Sequence, residues 1–318
     1  MSDPRCLEKY DFDSAILLRD HPPVLRHPHK QMVFQICCAA GYAPCGMLTY
    51  SRWSPTGLPE SLPIECGTAV ADTGFYDYVV GDGTAWHVNF ADPQLFIAYG
   101  SGLLAQDEIQ VLEHPILGSL REALLSMGKR VRTEDETGPT PVLVQNTERV
   151  CEIDTAPSDT SPRGLYGNRF QIASSEAVQA ALRVFPTPTP SNLIAIAAPV
   201  GSGIYTQQQI TSILHTAFAG FRAAVLSSPQ QPVEIYTGFW GCGAFGGNRP
   251  LMVAIQLLAA HLAEVDRLVF HLGSPSERFP FDEGRDLISK ITRLGQSVAG
   301  LIESIVALQF RWGQSDGN

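Results

Sequence analysis

The sequence predicts an α/β protein built on a largely parallel sheet with helices on both faces. Three observations carry this reading. Asn192–Ala198 and Arg267–Leu272 are nearly uninterrupted apolar runs, the form taken by strands buried on both sides. Helical patterns alternate with such runs through the C-terminal part of the chain. The chain has 318 residues, 44% of them hydrophobic and 17% charged, enough to bury a sizeable core.

The elements follow in order. The first eighty residues are rich in Pro, His and Cys. They read as an N-terminal accessory segment (1–80), helical in part and packed on a main domain (81–318). Thr84–Phe90 is a short β-rich run. Leu103–Glu113 is helical until Pro115 interrupts it, and Gly118–Met127 continues as a helix ending near Gly128. Residues 129–140 and 156–164 are loops by composition, with a strand at Pro141–Val144 between them. Ser174–Phe185 reads as a helix capped at Ser174 or Ser175, and PTPTPS (186–191) as a stiff connection. The strand Asn192–Ala198 follows, then a helix over Thr206–Leu226 with Thr206 at its cap. Val233–Thr237 is a strand, Pro250–Leu262 a helix with Pro in its first turn, and Arg267–Leu272 a strand. Glu283–Phe310 is expected to be one long amphipathic helix. Strands joined by crossover helices pair in parallel, and ligands of such sheets sit at the carboxyl ends of the strands. That rule points to the loops after Phe90 and Thr237.

Charge and composition exclude several functions. The formal charge is 22 − 32 = −10, the opposite of a nucleic-acid-binding face. No apolar run reaches the roughly 18 residues of a membrane helix. The N-terminus MSDPRCLEKYDFD is polar and acidic, unlike a secretory signal or transit peptide. The expectation is a soluble cytoplasmic protein with no membrane and no nucleic-acid partner. Seven irregularly spaced cysteines suit free thiols in a reducing compartment. Cys37, Cys38, Cys45 and Cys66, with His21, His27 and His29, match no standard zinc spacing, so buried core thiols are preferred and no metal is expected.

Two segments carry chemistry. The first is Thr237–Asn248, TGFWGCGAFGGN, a glycine-rich loop between a strand and a helix. Converging backbone amides and a helix N-terminus can hold a diphosphate without a basic patch. Gly247-Asn248-Arg249 is not the Gly-Lys-Ser/Thr ending of a Walker loop. A tight structural turn is the plainer alternative. The second is Val88–Pro115. A strand ends in a turn holding Asn89 and Asp92, Gly100-Ser101-Gly102 follows, and Gln106-Asp107-Glu108 opens a helix. Successive helical residues point about 100° apart, so Asp107 and Glu108 can face different parts of one ligand. Adjacent carboxylates raise one another's pKa, while the helix N-terminus favours both as anions. Acidic residues serving the helix dipole are the plainer alternative. Glu113 and His114 read as helix-end caps, and Glu134–Glu136 as a solvated loop.

Together, Val88-Asn89-Phe90-Ala91-Asp92, Gln106-Asp107-Glu108 and the run Thr237–Gly247 resemble the poly(ADP-ribose) glycohydrolase type of macrodomain, over roughly residues 80–275. In that family a Val-Asp-Phe-Ala-Asn turn leads through a glycine-rich loop to Gln-Glu-Glu, and a Thr-Gly-Asn-Trp-Gly-Cys-Gly-Ala-Phe-Gly-Gly loop follows later. The sequence departs from the pattern in places. Leu95–Ala98 stand where the family has three glycines, Asp107 where it has Glu, and Phe239 where it has Asn. Tyr166 is the candidate for its adenine-stacking tyrosine.

The resemblance implies a macrodomain-like three-layer α/β/α fold with a mixed, largely parallel central sheet, and ADP-ribosyl hydrolase activity. In it the loop Gly241, Cys242, Gly243, Ala244, Phe245, Gly246 and Gly247 holds the diphosphate, with Phe245 on the distal ribose, and Thr237 also binds substrate. Glu108 is implied as the acid/base residue and Asp107 as the holder of ribose hydroxyls. Gln106 orients the turn or the ribose, and Asn89 and Asp92 contact substrate. Cys242 is a small residue fitted to the loop rather than a nucleophile. No cofactor or metal is implied. The extra carboxylates Asp92 and Asp107 suit a guanidinium, so the expected substrate is mono-ADP-ribosyl-arginine on a protein, ubiquitin among the targets. Chain-cutting poly(ADP-ribose) glycohydrolase and a non-catalytic ADP-ribose reader are the alternatives, followed by an α/β protein that has lost ligand binding.

Overall fold

The computed structural model describes residues 3–38, 42–64, 67–78, 83–292 and 296–315. The chain starts with strand β1 (Cys6–Asp13), helices α1 (Ser14–Asp20) and α2 (Pro28–Cys37), and strands β2 (Met47–Trp53), β3 (Thr68–Thr73) and β4 (Thr84–Ala91). Helices α3 (Gln106–Glu113) and α4 (Ile116–Ser126) follow, then a two-residue hairpin, β5 (Glu134–Asp135) with β6 (Gly138–Pro139), and β7 (Val142–Ile153). Next come α5 (Arg169–Ile172), α6 (Ser175–Ala180), β8 (Leu182–Ala197), α7 (Gln207–Leu226), β9 (Val233–Thr237), α8 (Arg249–Leu262) and β10 (Arg267–Leu272). The helices α9 (Arg278–Ile291) and α10 (Val298–Ala307) close the order.

Eight strands form one mixed sheet in the order β1-β2-β7-β8-β4-β9-β10-β3. Pairing is parallel from β8 through β4, β9 and β10 to β3, and antiparallel from β1 through β2 and β7 to β8. On one face α7, α8 and α10 bury Phe221, Leu251 and Leu301 against Trp86, Ile194 and Ile196. On the other, α1, α3 and α4 bury Leu17, Val111 and Leu120 against Leu48, Tyr50 and Leu193. The result is the expected three-layer α/β/α arrangement. Among the described residues no helix is long and apolar enough to cross a membrane.

The N-terminal eighty residues are not an accessory to this sheet. β1 and β2 form its antiparallel edge, and β3 pairs in parallel with β10 at the opposite edge. Leu48 and Tyr50 of β2 are fully buried in the second core, so a boundary at 80/81 would part strands of one sheet and its core. Two further expectations change. The helix over Ser174–Phe185 stops at Ala180, and β8 runs straight through the PTPTPS segment. β4 pairs only with Leu193–Ala197, so one edge of β8 is open before that point, and a sheet tolerates prolines at an open edge. The expected single C-terminal helix is two, because the Ser297 side chain accepts from Gly300 N and starts α10 afresh.

The cysteines are free among the described residues: Cys6 and Cys45 exposed, Cys38 partly buried, and Cys37, Cys151 and Cys242 buried. Cys66 of the sequence-level zinc set lies outside the described residues. Among the described residues no cluster of three or more His, Cys, Asp or Glu side chains is placed to hold a metal.

One N-terminal feature positions the candidate site. Residues 22–27 cross the loop that follows β4. Arg26 N and His27 N both donate to Gly100 O (2.8 and 3.0 Å), and Val24 N donates to Tyr99 Oη (2.6 Å). A Cβ on Gly100 would meet Val24 O at 2.3 Å, so only glycine admits this approach. Gly100→Ala is expected to lift residues 22–27 off the loop and cost about 1–3 kcal/mol of stability. Amide hydrogen exchange checks it: the Arg26 and His27 amides should exchange about tenfold faster or more, and unchanged exchange would refute the contact's role.

Candidate active site

The site is organised by how α3 meets β4. β9 pairs with β4 only as far as His87, which leaves that edge of β4 open along Val88–Phe90. The Gln106 side-chain amide fills it: Phe90 N donates to its Oε1 (2.7 Å), and its Nε2 donates to Val88 O (3.0 Å). Gln106 thus stands in for a neighbouring strand and braces the helix. Between Val88 and Phe90 the Asn89 side chain stands on the sheet face that α3 covers. It is fully buried and donates through Nδ2 to Asp107 Oδ1 (3.0 Å) and Gln110 Oε1 (2.9 Å).

The two acidic residues are buried in the first turn of α3, Asp107 at 6% and Glu108 at 4% exposure. Glu108 Oε2 accepts from Ala105 N (3.0 Å), which caps a helix whose N-cap alanine has no capping side chain. Burial pushes the Asp107 carboxyl well above the ordinary range, the Glu108 charge adds to this, and the Asn89 hydrogen bond opposes it. Burial likewise raises Glu108, against the pull of Lys30. Asp92 adds its charge to both. Its own Oδ1 accepts from Gln94 N (2.7 Å) in a local turn.

A cleft of about 660 Å³ opens beside this layer. One wall is α3, through Gln106, Ile109, Gln110 and Glu113; the facing wall is the loop after β9, through Thr237, Gly238, Phe239, Cys242 and Gly243. Thr237 is fully buried and donates to Gln256 Oε1 (2.5 Å), while Gln256 Nε2 donates to Gly238 O (3.0 Å). Gln256 of α8 therefore pins the start of the loop.

The loop closes on itself: Cys242 N donates to Phe239 O (3.0 Å), Gly246 N to Gly243 O (3.0 Å) and Gly247 N to Gly241 O (2.9 Å). Gly241 (φ 72°) and Gly246 (φ 63°) hold left-handed conformations. Among the described residues the amides of Gly243, Ala244 and Phe245 have no protein acceptor, which is the group an anion would use. The C-terminal tail braces the loop from behind. Gly313 N donates to Gly246 O (2.7 Å), Asn248 Nδ2 donates to Arg311 O (3.2 Å), and Trp312 stacks on Tyr205 with ring centroids 4.2 Å apart. Burial raises the Cys242 thiol far above its ordinary value, so it stays protonated and its nucleophilic use is disfavoured.

The structure divides the sequence-level candidates. Gln106, Thr237, Cys242 and Gly243 line the cleft, as does Tyr166. Asn89 of β4 and Asp107 and Glu108 in the first turn of α3 form a buried layer and do not line it. Asp92, Gly241, Ala244, Phe245, Gly246 and Gly247 also lie off its lining. Gln106 already spends both ends of its amide on β4.

Sequence reasoning missed the inner end of the cleft. Glu113, read as a cap, pairs there with Arg149 of β7 (Nε–Oε2 2.8 Å) and accepts from Ile153 N (3.1 Å). The Arg149 guanidinium lies 4.4 Å from the Tyr78 ring centroid. Burial raises Glu113 to about 7, against the pull of Arg149. Burial also holds His87 and His114 neutral, lowering each to about 3. The available signal was the spacing Gln106, Gln110, Glu113, which is i, i+4, i+7 on one helix face.

Comparison with known proteins bears on this geometry. Residues 163–277 match the family described as "Poly (ADP-ribose) glycohydrolase (PARG), Macro domain fold". Poly(ADP-ribose) glycohydrolase 1 of Caenorhabditis elegans is 53% identical over 32 residues, 10% of this chain and 4% of the relative. Poly(ADP-ribose) glycohydrolase 2 of the same organism is 34% identical over 59 residues, 19% of this chain and 12% of the relative. The matched stretches are thus a small part of both curated relatives. A poly(ADP-ribose) glycohydrolase from Thermomonospora curvata superposes with a TM-score of 0.45 and 13% identity, covering 85% of this chain and 88% of that one. One from Deinococcus radiodurans, in complex with ADP-ribose, gives 0.41 and 13%, covering 71% and 88%. The 163–277 match covers about a third of the chain, and the superpositions carry no further argument.

The buried Glu113–Arg149 pair gives a stability prediction. Glu113→Ala leaves the guanidinium buried and uncompensated, and should cost about 3–5 kcal/mol in chemical denaturation. The pH dependence has a definite sign. Glu113 is raised from 4.5 to about 7, so its stabilising contribution is complete below pH 4.5 and is lost as pH rises through 7. Glu113→Gln should lack that decline, and an identical pH–stability slope in the variant would refute the raised value.

Proposed function

We propose, from the match of residues 163–277 to the poly(ADP-ribose) glycohydrolase type of macrodomain, that the chain is a glycosidic-bond hydrolase acting on ADP-ribose conjugates. The observation that carries the proposal is the loop after β9. It carries three consecutive unused amides, those of Gly243, Ala244 and Phe245, with Gly243 on the cleft wall that faces α3, and α3 bears a buried carboxyl pair behind its own wall. An acidic chain can hold a diphosphate there with backbone donors alone.

Glycosidic cleavage passes through an oxocarbenium-like state and needs a proton at the leaving group and a water at the anomeric carbon. In this reading Glu108 is the acid/base residue, and its raised pKa favours the protonated form a general acid requires. Asp107 holds ribose hydroxyls, oriented by Asn89. Glu108 caps Ala105 and does not line the cleft, so the mechanism requires the 99–105 loop to withdraw when substrate enters.

The finer part of the proposal is the linkage. Asp92 and Asp107 add negative charge beside Glu108, which suits a guanidinium leaving group and so mono-ADP-ribosyl-arginine on a protein, ubiquitin included as a target. Free cysteines support a reducing, cytoplasmic location. Poly(ADP-ribose) chain cleavage is the second reading, favoured by the names of the curated relatives.

The test is release of free ADP-ribose from an arginine-mono-ADP-ribosylated protein and from poly(ADP-ribose), side by side. Release from the first alone supports the arginine linkage; release from the polymer supports the second reading; binding of ADP-ribose without release from either refutes the hydrolase. Glu108→Gln should lower turnover by about 100-fold or more while ADP-ribose binding is kept. Full turnover in that variant would remove Glu108 from the mechanism.

A further inference from the structure

Lys30 has no part in the scheme above, yet it is fully buried. It sits on α2, and its Nζ donates to the main-chain oxygen of Glu108 (3.3 Å), in the first turn of α3. The same nitrogen lies 5.5 Å from the Phe170 ring centroid. α2 is fastened there. His29 Nδ1 donates to Phe170 O (2.9 Å), and His27 N donates to Gly100 O (3.0 Å) just before the helix starts.

An ammonium removed from water needs a compensating charge. The anions acting on Lys30 are Glu108 and Asp107. Asp92 acts on that carboxyl pair from the loop after β4, and Arg121 of α4 is within reach of the Asp107 charge. His27 adds a titratable group at the start of α2 itself. The Arg121 guanidinium donates to Leu95 O and interacts first with Glu122, which leaves Lys30 as the cation nearest the carboxyl pair, and one buried ammonium balances one negative charge, not two. The balanced arrangement is therefore a charged Lys30, one carboxylate and one carboxylic acid, with the carboxyl pair titrating as a unit.

We propose that Lys30 is a positioning residue of the reaction, delivered onto α3 by the N-terminal segment so that one of Asp107 and Glu108 stays ionised while the other carries the proton. The inference rests on the reading of Glu108 as the acid/base residue. Burial lowers Lys30 to about 8, while Glu108 and Asp107 pull it up, so the ammonium persists at neutral pH and is lost above about pH 8.

The experiment is an NMR titration of the full chain with ¹³C at the glutamate side-chain carboxyls, the Glu108 signal being assigned by its loss in Glu108→Gln. Lys30→Met should raise the Glu108 midpoint by about one pH unit or more. Lys30→Arg should restore the wild-type midpoint. Because arginine does not titrate in this range, it should also remove the second inflection expected at about pH 8 in the wild type. The alkaline limb of kcat/KM should move with the midpoint in Lys30→Met. An unmoved Glu108 midpoint in Lys30→Met, or a pH 8 inflection that survives in Lys30→Arg, overturns the proposal whatever the enzyme hydrolyses. A moved midpoint with an unmoved rate profile overturns the role of Lys30 in the reaction. A moved midpoint in a protein that releases ADP-ribose from neither substrate upholds the charge pairing and overturns the hydrolase reading, and the role in catalysis with it.

Discussion

The site depends on one side-chain amide making the hydrogen bonds of a missing strand. β4 loses β9 as a partner after His87, just where the sheet opens toward the cleft. A bare strand edge there would leave Phe90 N unpaired, and Val88 O with the Tyr76 hydroxyl alone, in a half-buried place. Gln106 satisfies both, and so fixes the rotation and height of α3. Everything on that helix follows from this placement. Asp107 meets Asn89, Glu108 turns back to cap Ala105, and Gln110 and Glu113 face the cleft. The far end of the helix is held by the Glu113–Arg149 pair, so α3 is anchored to β4 at its start and β7 at its end.

The second constraint is electrostatic. A chain of charge −10 has no general attraction for a phosphate ester. What it offers is local: a loop folded by its own hydrogen bonds with three consecutive amides left over. On the opposite side carboxyl groups are held out of water, where proton affinity rises. The cleft thus lies between the wall that carries the glycine loop and the α3 wall with its proton-holding layer behind it, and at its inner end Glu113 and Arg149 meet as a pair.

What was legible in the sequence follows physical rules. β4, β9 and β10 and the helices between them were readable because their side chains are buried on one or both faces and leave clean periodicities. The loop after β9 was readable because left-handed turns and close approaches demand glycine at fixed places. β1 and β3 were not readable. They are edge strands, largely exposed, and lack a continuous apolar run. The first half of β8 was hidden by three prolines that only an open edge allows. Residue identity pointed to Gln106, but its role came from where β9 ends, which no local pattern encodes. Arg149 was invisible because its partner is 36 residues away and the pairing is set by the register of β7.

The tail behind the glycine loop has a consequence for how the protein comes into being. Gly246 and Asn248 are held by Gly313 and Arg311, and Trp312 packs on Tyr205 beside them. A chain growing on the ribosome places the loop in the exit tunnel some sixty-five residues before the tail that holds it has been made. The sheet and its helices can assemble in that interval, but the glycine loop lacks its back support until residue 313 has emerged. Nascent chains should therefore pass through a stage that is folded in the main while the glycine loop still lacks the contacts of residues 311–313.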